Sequence, residues 1–65
     1  MKIRVNGRDI VFSQTTIGDL IKQYRLKPKR IVVEKNGTIV PPETYRTEPL
    51  CDGDVIEIIR FIGGG

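Results

Sequence analysis

Residues 1–12, MKIRVNGRDIVF, contain the pattern from which the fold prediction starts. Ile3 and Val5 alternate with basic residues, and the apolar alternation resumes on the far side of Asn6-Gly7. Asn and Gly tolerate the positive φ angles that a two-residue hairpin turn requires. The stretch is therefore predicted to be a β-hairpin that directs one face toward a core.

The hydrophobic period changes in residues 15–28, TTIGDLIKQYRLKP. Apolar side chains now recur at helical spacing and predict one apolar stripe, formed by Ile17, Leu20, Ile21 and Tyr24. Thr16 is the predicted N-cap, and Asp19 stands where a capping box places its acidic residue. We expect the helix to end by Arg25 or Leu26, because a proline follows and cannot continue it.

The second half of the chain predicts a further hairpin, a loop and a final strand. Residues 30–40 alternate around a second turn pair, Asn36-Gly37, which indicates two short strands. We expect the loop over residues 42–50 to contain one short helical turn, with Tyr45 and Leu50 packed down as anchors. A turn at residues 52–54 then leads into a strand over residues 55–62.

The resulting order of elements is β-β-α-β-β-β, which belongs to the α+β class. The first and last strands are the most apolar, so we expect them side by side at the sheet centre. One helix must cover one face of this mixed sheet of four to five strands. This arrangement describes a β-grasp, ubiquitin-like domain over residues 1–62, followed by a flexible glycine tail over residues 63–65.

Few residues in the chain are suited to catalysis. Histidine is absent, no Cys/His cluster offers metal-ligand geometry, and a small core leaves no room for a deep cleft. Asp52 and Asp54 flank Gly53, a spacing more typical of turn capping than of acid–base work. Cys51 is the sole cysteine, and we expect a small buried apolar residue rather than a nucleophile. The chain is predicted not to be an enzyme.

Charge and hydropathy narrow the classes of partner. The formal net charge is +3, and its one basic cluster is predicted to be a solvated loop beyond the helix, formed by Arg25, Lys27, Lys29 and Arg30. A nucleic-acid surface would be denser and interleaved with aromatic residues. No segment has the length of a membrane span or the features of a signal peptide. We expect a cytoplasmic protein that binds neither nucleic acid nor membrane and is monomeric when free.

The last strand divides its side chains between two faces. Ile56 and Ile58 are assigned to the core, because Glu57 on the other face is costly to bury. Ile59 and Phe61 then point outward beside the tail and, with the adjoining Ile62, form a predicted partner surface. The alternative is that the loop around Tyr45 covers them.

The chain ends in three glycines, Gly63, Gly64 and Gly65. A terminal carboxylate is a poor electrophile and must be activated before it reacts, for example as an acyl-adenylate. Glycine lacks a Cβ, so a backbone or ligand can approach closely and the chain can adopt any φ. We therefore expect the tail to thread into the site of another protein and to react at Gly65.

The complete chain resembles ubiquitin and its bacterial sulfur-carrier relatives, in particular the ThiS family of the thiamine pathway. The resemblance lies in MKIRVNGRDI (1–10), TTIGDLI (15–21), VVEKNGTIVP (32–41) and DGDVIEIIRFIGGG (52–65). The final segment is the most specific, since its strand runs directly into Gly-Gly. Length also favours this family, because the related molybdopterin-synthase small subunit is typically longer.

The resemblance implies a sulfur-transfer cycle in which Gly64 and Gly65 take the place of the Gly-Gly pair and Gly63 extends it. A ThiF-type activating enzyme would use ATP to adenylate Gly65. Persulfide sulfur, from a donor such as a cysteine desulfurase, would displace AMP and leave a thiocarboxylate. Thiazole synthase would then draw sulfur from it. The chain itself would bind no cofactor and no metal, and Cys51 has no assigned role.

Three other functions stay open from the sequence. The chain could carry sulfur to another acceptor, such as molybdopterin or cysteine. It could be a protein modifier joined to lysines through Gly65, or a binding module whose tail does no chemistry.

Overall fold

Five strands and one α-helix form the fold of this computed structural model, which describes residues 1–61 of the chain. The helix α1 spans Ile17–Gln23, and the strands are β1 (Lys2–Val5), β2 (Arg8–Val11), β3 (Ile31–Lys35), β4 (Thr38–Ile39) and β5 (Val55–Arg60). Short 3₁₀ turns lie at Pro28–Arg30 and Pro42–Thr44. The predicted α+β class and the order β-β-α-β-β-β are confirmed.

The strands form one mixed sheet in the order β2-β1-β5-β3-β4. Strand β5 lies at the centre, parallel to β1 and antiparallel to β3. Arg4 is opposite Val55 in the parallel pair, and Val33 is opposite Ile58 in the antiparallel pair. The expectation that the first and last strands lie together is confirmed, and the strand that leads to the tail is supported on both edges.

Both Asn-Gly pairs form the turns predicted for them. Asn6 and Gly7 have φ angles of 50° and 80°, and Asn36 and Gly37 have φ angles of 53° and 85°. Positive φ at both central residues is the requirement of the hairpin turn whose twist matches that of the flanking strands.

The helix begins with the predicted capping box. The Asp19 amide donates to Thr16 Oγ1 at 3.2 Å, and the Thr16 amide donates to Asp19 Oδ2 at 3.1 Å. Backbone hydrogen bonding from Thr15, followed by the contacts with Thr16, lowers the pKa of the Asp19 carboxyl. The N-terminal boundary of the helix is therefore set by local hydrogen bonds, which the spacing of Thr16 and Asp19 predicts from the sequence.

The helix ends at Gln23, within the limit of Arg25 or Leu26 predicted from the proline that follows. Tyr24 is the C-cap, and Arg25 adopts a left-handed conformation with φ 55°. Tyr24 therefore lies at the end of the helix, and the residue is 40% exposed. The prediction that Tyr24 packs with the stripe is wrong, whereas Ile17, Leu20 and Ile21 are buried as expected.

The core lies between α1 and one face of the sheet. Its fully buried larger side chains come from four strands or their flanks and from the helix, namely Phe12, Ile3, Ile17, Leu20, Ile56 and Val33. Tyr45 and Leu50 are buried in it as the predicted anchors of the long loop, which contains the expected short helical turn. No α-helix within residues 1–61 has the length and apolarity needed to cross a membrane.

Cys51 is exposed, so the prediction that it is buried is wrong. The neighbouring Leu50 occupies the core position, and Cys51 begins the turn that precedes β5. Its backbone amide donates to Asp54 Oδ2 at 2.8 Å, which fixes the turn. The predicted capping role is therefore confirmed for Asp54, whereas Asp52 Oδ1 accepts from the Lys2 amide at 2.7 Å and so joins the turn to β1.

Candidate functional site

Strand β5 presents its two faces as predicted from Glu57. Ile56 is fully buried and Ile58 packs against the core. On the other face, Ile59 is 50% exposed and Phe61 is 55% exposed. The alternative that the loop around Tyr45 covers these side chains is wrong, because Tyr45 is itself buried in the core behind the sheet.

Neighbouring strands extend the exposed apolar surface around Ile59. Val32 of β3 lies directly opposite Ile59, and Ile39 of β4 lies on the same face through its pairing with Glu34. We call this surface the outer strip; it consists of Val32, Ile39, Val55, Ile59 and Phe61. Several exposed apolar side chains on one sheet face are typical of a surface that contacts a partner.

Charged side chains interrupt and border the outer strip. Glu34 and Glu57 are directly opposite each other across β3 and β5, an arrangement that disfavours strand pairing because the charges are alike. At the β1 side, Arg4 Nε donates to Asp9 Oδ1 at 2.8 Å. This contact raises the pKa of Arg4 and lowers that of Asp9. Glu34 and Glu57 therefore add negative charge within the outer strip, and the ion pair of Arg4 with Asp9 lies at its β1 border.

The strand is held in place up to the last described residue. Beyond the β1 ladder, the Asn6 side chain takes over the pairing: the Ile58 amide donates to Asn6 Oδ1 at 2.7 Å, and Asn6 Nδ2 donates to the Ile58 carbonyl at 3.2 Å. On the other edge, the Phe61 amide donates to the Arg30 carbonyl at 2.9 Å. The strand is thus fixed on both sides as far as Ile58, and on the β3 side alone from there to Phe61.

The sequence assigned Asn6 a turn role alone and missed this second role as a clamp on β5. A residue already required by a hairpin turn gives no further signal in the sequence. The partner here is more than fifty positions away in the chain, so only the parallel pairing of β1 and β5 reveals it.

The predicted tail residues Gly63, Gly64 and Gly65, together with Ile62, lie outside the described residues. Cys51 precedes β5 whereas Phe61 follows it, so the length of the strand, roughly 20 Å, separates them. Across residues 1–61, no cluster of three or more His, Cys, Asp or Glu side chains could hold a metal ion.

Comparison with known proteins extends the resemblance. The family model described as the ThiS family matches residues 3–65. The sulfur carrier protein ThiS of Bacillus subtilis (strain 168) is 43% identical over 97% of this chain and 98% of its own length. A thiazole synthase of Paramagnetospirillum magneticum is 38% identical over 100% of this chain, which matches 20% of that protein.

The fold agrees with a solved structure over the full chain. The crystal structure of the thiamine biosynthesis protein (ThiS) from Geobacter metallireducens has a TM-score of 0.83 at 26% identity, with 100% of both chains covered. The predicted β-grasp fold is thereby confirmed. Because the family model and the B. subtilis sulfur carrier both match nearly its whole length, this chain belongs to the ThiS family.

Proposed function

We propose that this chain is a sulfur carrier protein that supplies the sulfur of the thiazole ring in thiamine biosynthesis. The observation that carries the proposal is the end-to-end match to the sulfur carrier of B. subtilis, at 43% identity. Thiazole synthases that contain a segment similar to the whole chain support the same pathway. This likeness favours the thiazole acceptor over molybdopterin or cysteine, and favours a carrier over a protein modifier.

The chemistry is proposed to take place at the carboxylate of Gly65. A ThiF-type activating enzyme joins this carboxylate to the α-phosphate of ATP and releases pyrophosphate. A persulfide sulfur, relayed from a donor such as a cysteine desulfurase, attacks the acyl-adenylate, and AMP leaves. A second thiol then cleaves the S–S bond, so that a thiocarboxylate remains on Gly65 for thiazole synthase to use.

The chain contributes a substrate group and a means of presenting it, while the partner enzymes supply the catalysis. Gly63 and Gly64 form the narrow tether, because residues without a Cβ pass through a confined channel and leave the terminal carbonyl accessible. The domain of residues 1–62 is the base that presents this tether. The strand clamped by Asn6 and by the Arg30 carbonyl supports this role, since it fixes the point from which the tether starts.

The outer strip, extended by Ile62, is proposed to dock the partner enzymes. Its apolar side chains are exposed on the face opposite the helix, next to the last described residue. Burying such a surface against a partner contributes roughly 25 cal/mol per Å² of apolar area. The acidic pair Glu34 and Glu57 within it would select a partner that presents a basic side chain there.

Adenylation can be tested by ATP–pyrophosphate exchange with the ThiF-type enzyme. The full chain is expected to support exchange, and a variant that lacks Gly65 is expected to lose it, because its carboxylate falls one residue short. The matched control Cys51→Ser should exchange like the unaltered chain. Exchange that persists without Gly65, or that is lost in Cys51→Ser, would place the reacting group elsewhere and refute the proposal.

A further inference from the structure

Two adjoining grooves lie where β5 ends and the tail begins. The first, of about 400 Å³, runs from Asn6 to Tyr24, and the second, of about 300 Å³, lies along the loop after α1 and reaches Phe61. They share Leu26 and Arg60. We call the combined feature the basic groove, because the charged side chains that line it are Arg8, Arg25, Lys27, Arg30 and Arg60.

No Asp or Glu side chain is among the described residues that line this groove. Asp19 caps the opposite end of α1, and Glu48, Asp52 and Asp54 lie in the loop and turn ahead of β5. Within residues 1–61, the ion pairs are Arg4 with Asp9 and Lys35 with Glu48. The five positive charges of the basic groove therefore have no carboxylate partner in the described part of the chain, and the domain is basic at its tail end.

The fold does not account for this concentration of charge. One or two positively charged side chains near Arg25 suit the negative, C-terminal end of the helix dipole. A helix as short as α1 does not require a larger number of charges. Arg8 comes from the first hairpin and Arg60 from the last strand, so three separate segments place like charges around one hollow. Like charges at close range repel one another, which favours a role in binding an external group.

We propose that the basic groove docks onto an acidic surface of the activating enzyme, beside the opening that admits the tail. Phe61 lines the groove and is the residue from which the tail continues. An enzyme that takes up Gly65 must therefore come close to the groove. Complementary charge around the tail would steer the encounter and fix the orientation of the docked domain. The inference rests on the proposed function and adds a second contact, which adjoins the outer strip at Phe61.

The experiment compares two doubly charge-reversed variants in ATP–pyrophosphate exchange. The groove variant is Lys27→Glu with Arg60→Glu. The matched control is Lys22→Glu with Arg46→Glu, which changes the net charge equally at exposed positions on the helix side. At low salt, the groove variant is expected to raise the KM for the carrier about tenfold or more with kcat unchanged. The control should stay within about twofold of the unaltered chain.

Salt provides the second readout. For the unaltered chain, KM should rise as ionic strength increases, because exposed charges separated by more than a Debye length are screened. For the groove variant, KM should change less with ionic strength than it does for the unaltered chain. If the groove variant does not fold, as judged by circular dichroism, the neutral pair Lys27→Gln with Arg60→Gln takes its place and should show a smaller rise in KM.

Three results would overturn the inference. An unchanged KM in the folded groove variant refutes this inference but leaves the proposed function standing. An equal rise of KM in the control variant shows that net charge, rather than the position of the charges in this groove, determines KM. Binding of a single-stranded RNA oligonucleotide that is lost in the groove variant while KM is unchanged would assign the groove to nucleic acid. Absence of exchange with the unaltered chain would instead refute the proposed function itself.

Discussion

Gly18 shows how one residue can be set by a neighbour distant in sequence. A glycine inside a helix costs about 1 kcal/mol relative to alanine, which makes it a poor choice for the first turn of α1. The Gly18 amide donates to the Tyr45 carbonyl at 2.7 Å. A Cβ at this position would lie 3.0 Å from that oxygen and 3.2 Å from the Arg46 Cα. A side chain at position 18 would therefore need the backbone of the long loop to move by a few tenths of an ångström.

Replacing Gly18 with alanine is therefore expected to destabilise the protein, despite the higher helix propensity of alanine. The overpacking should lower the free energy of unfolding by about 1–2 kcal/mol, measured by urea denaturation. The control Lys22→Ala, on the exposed side of the same helix, should change it by less than about 0.5 kcal/mol. A Gly18→Ala variant as stable as the unaltered chain would show that the loop moves away freely.

At the residue scale, the sequence predicted contacts between close neighbours and missed those between distant ones. The capping box of Thr16 and Asp19 spans three positions, so its chemistry is visible in the sequence. The clamp formed by Asn6 depends on a strand more than fifty positions away. The exposure of Cys51 depends on which of two adjacent residues fills the core, and the sequence pattern around it does not distinguish them.

At the element scale, periodicity predicted each strand and the helix, but not where the helix stops. Asn6-Gly7 and Asn36-Gly37 mark their turns because few other residue pairs accept positive φ at both positions. The following proline predicted only the latest possible end of the helix, and the left-handed residue that follows its C-cap is Arg25 rather than a glycine that would mark the end at Gln23. The faces of β5 were predictable because Glu57 identifies the solvent side of a strand that is otherwise apolar.

This assignment of faces predicts opposite outcomes for neighbouring residues of β5. Ile59→Asp or Phe61→Asp should leave the domain folded and raise the KM for the carrier in adenylation, because each places a charge on the proposed docking surface. Ile56→Ala should lower the free energy of unfolding by about 2–5 kcal/mol, as expected for a buried isoleucine. Thermal unfolding and pyrophosphate exchange separate the two effects. Loss of folding in Ile59→Asp would show that this side chain belongs to a core.

At the scale of the whole molecule, the fold places two different surfaces around the point where the tail begins. The outer strip lies on the open sheet face, and the basic groove lies at the end of the helix. The sequence predicted Ile59 and Phe61 of the outer strip, because alternation along β5 reveals their face, whereas Val32 and Ile39 join them only through the strand pairing. The second could not be predicted, since Arg8, Arg25 and Arg60 come together only through the parallel pairing of β1 with β5 and the packing of the loop after α1.

The central claim is that the carboxylate of Gly65 becomes a thiocarboxylate, and intact-mass spectrometry tests it most directly. The chain is incubated with ATP, the ThiF-type enzyme, a cysteine desulfurase and cysteine, and fragmentation then locates any change. The account predicts the mass increase for one oxygen replaced by sulfur, at Gly65, dependent on ATP and absent when Gly65 is deleted. An unchanged mass under these conditions, or sulfur found on Cys51 instead, would contradict it.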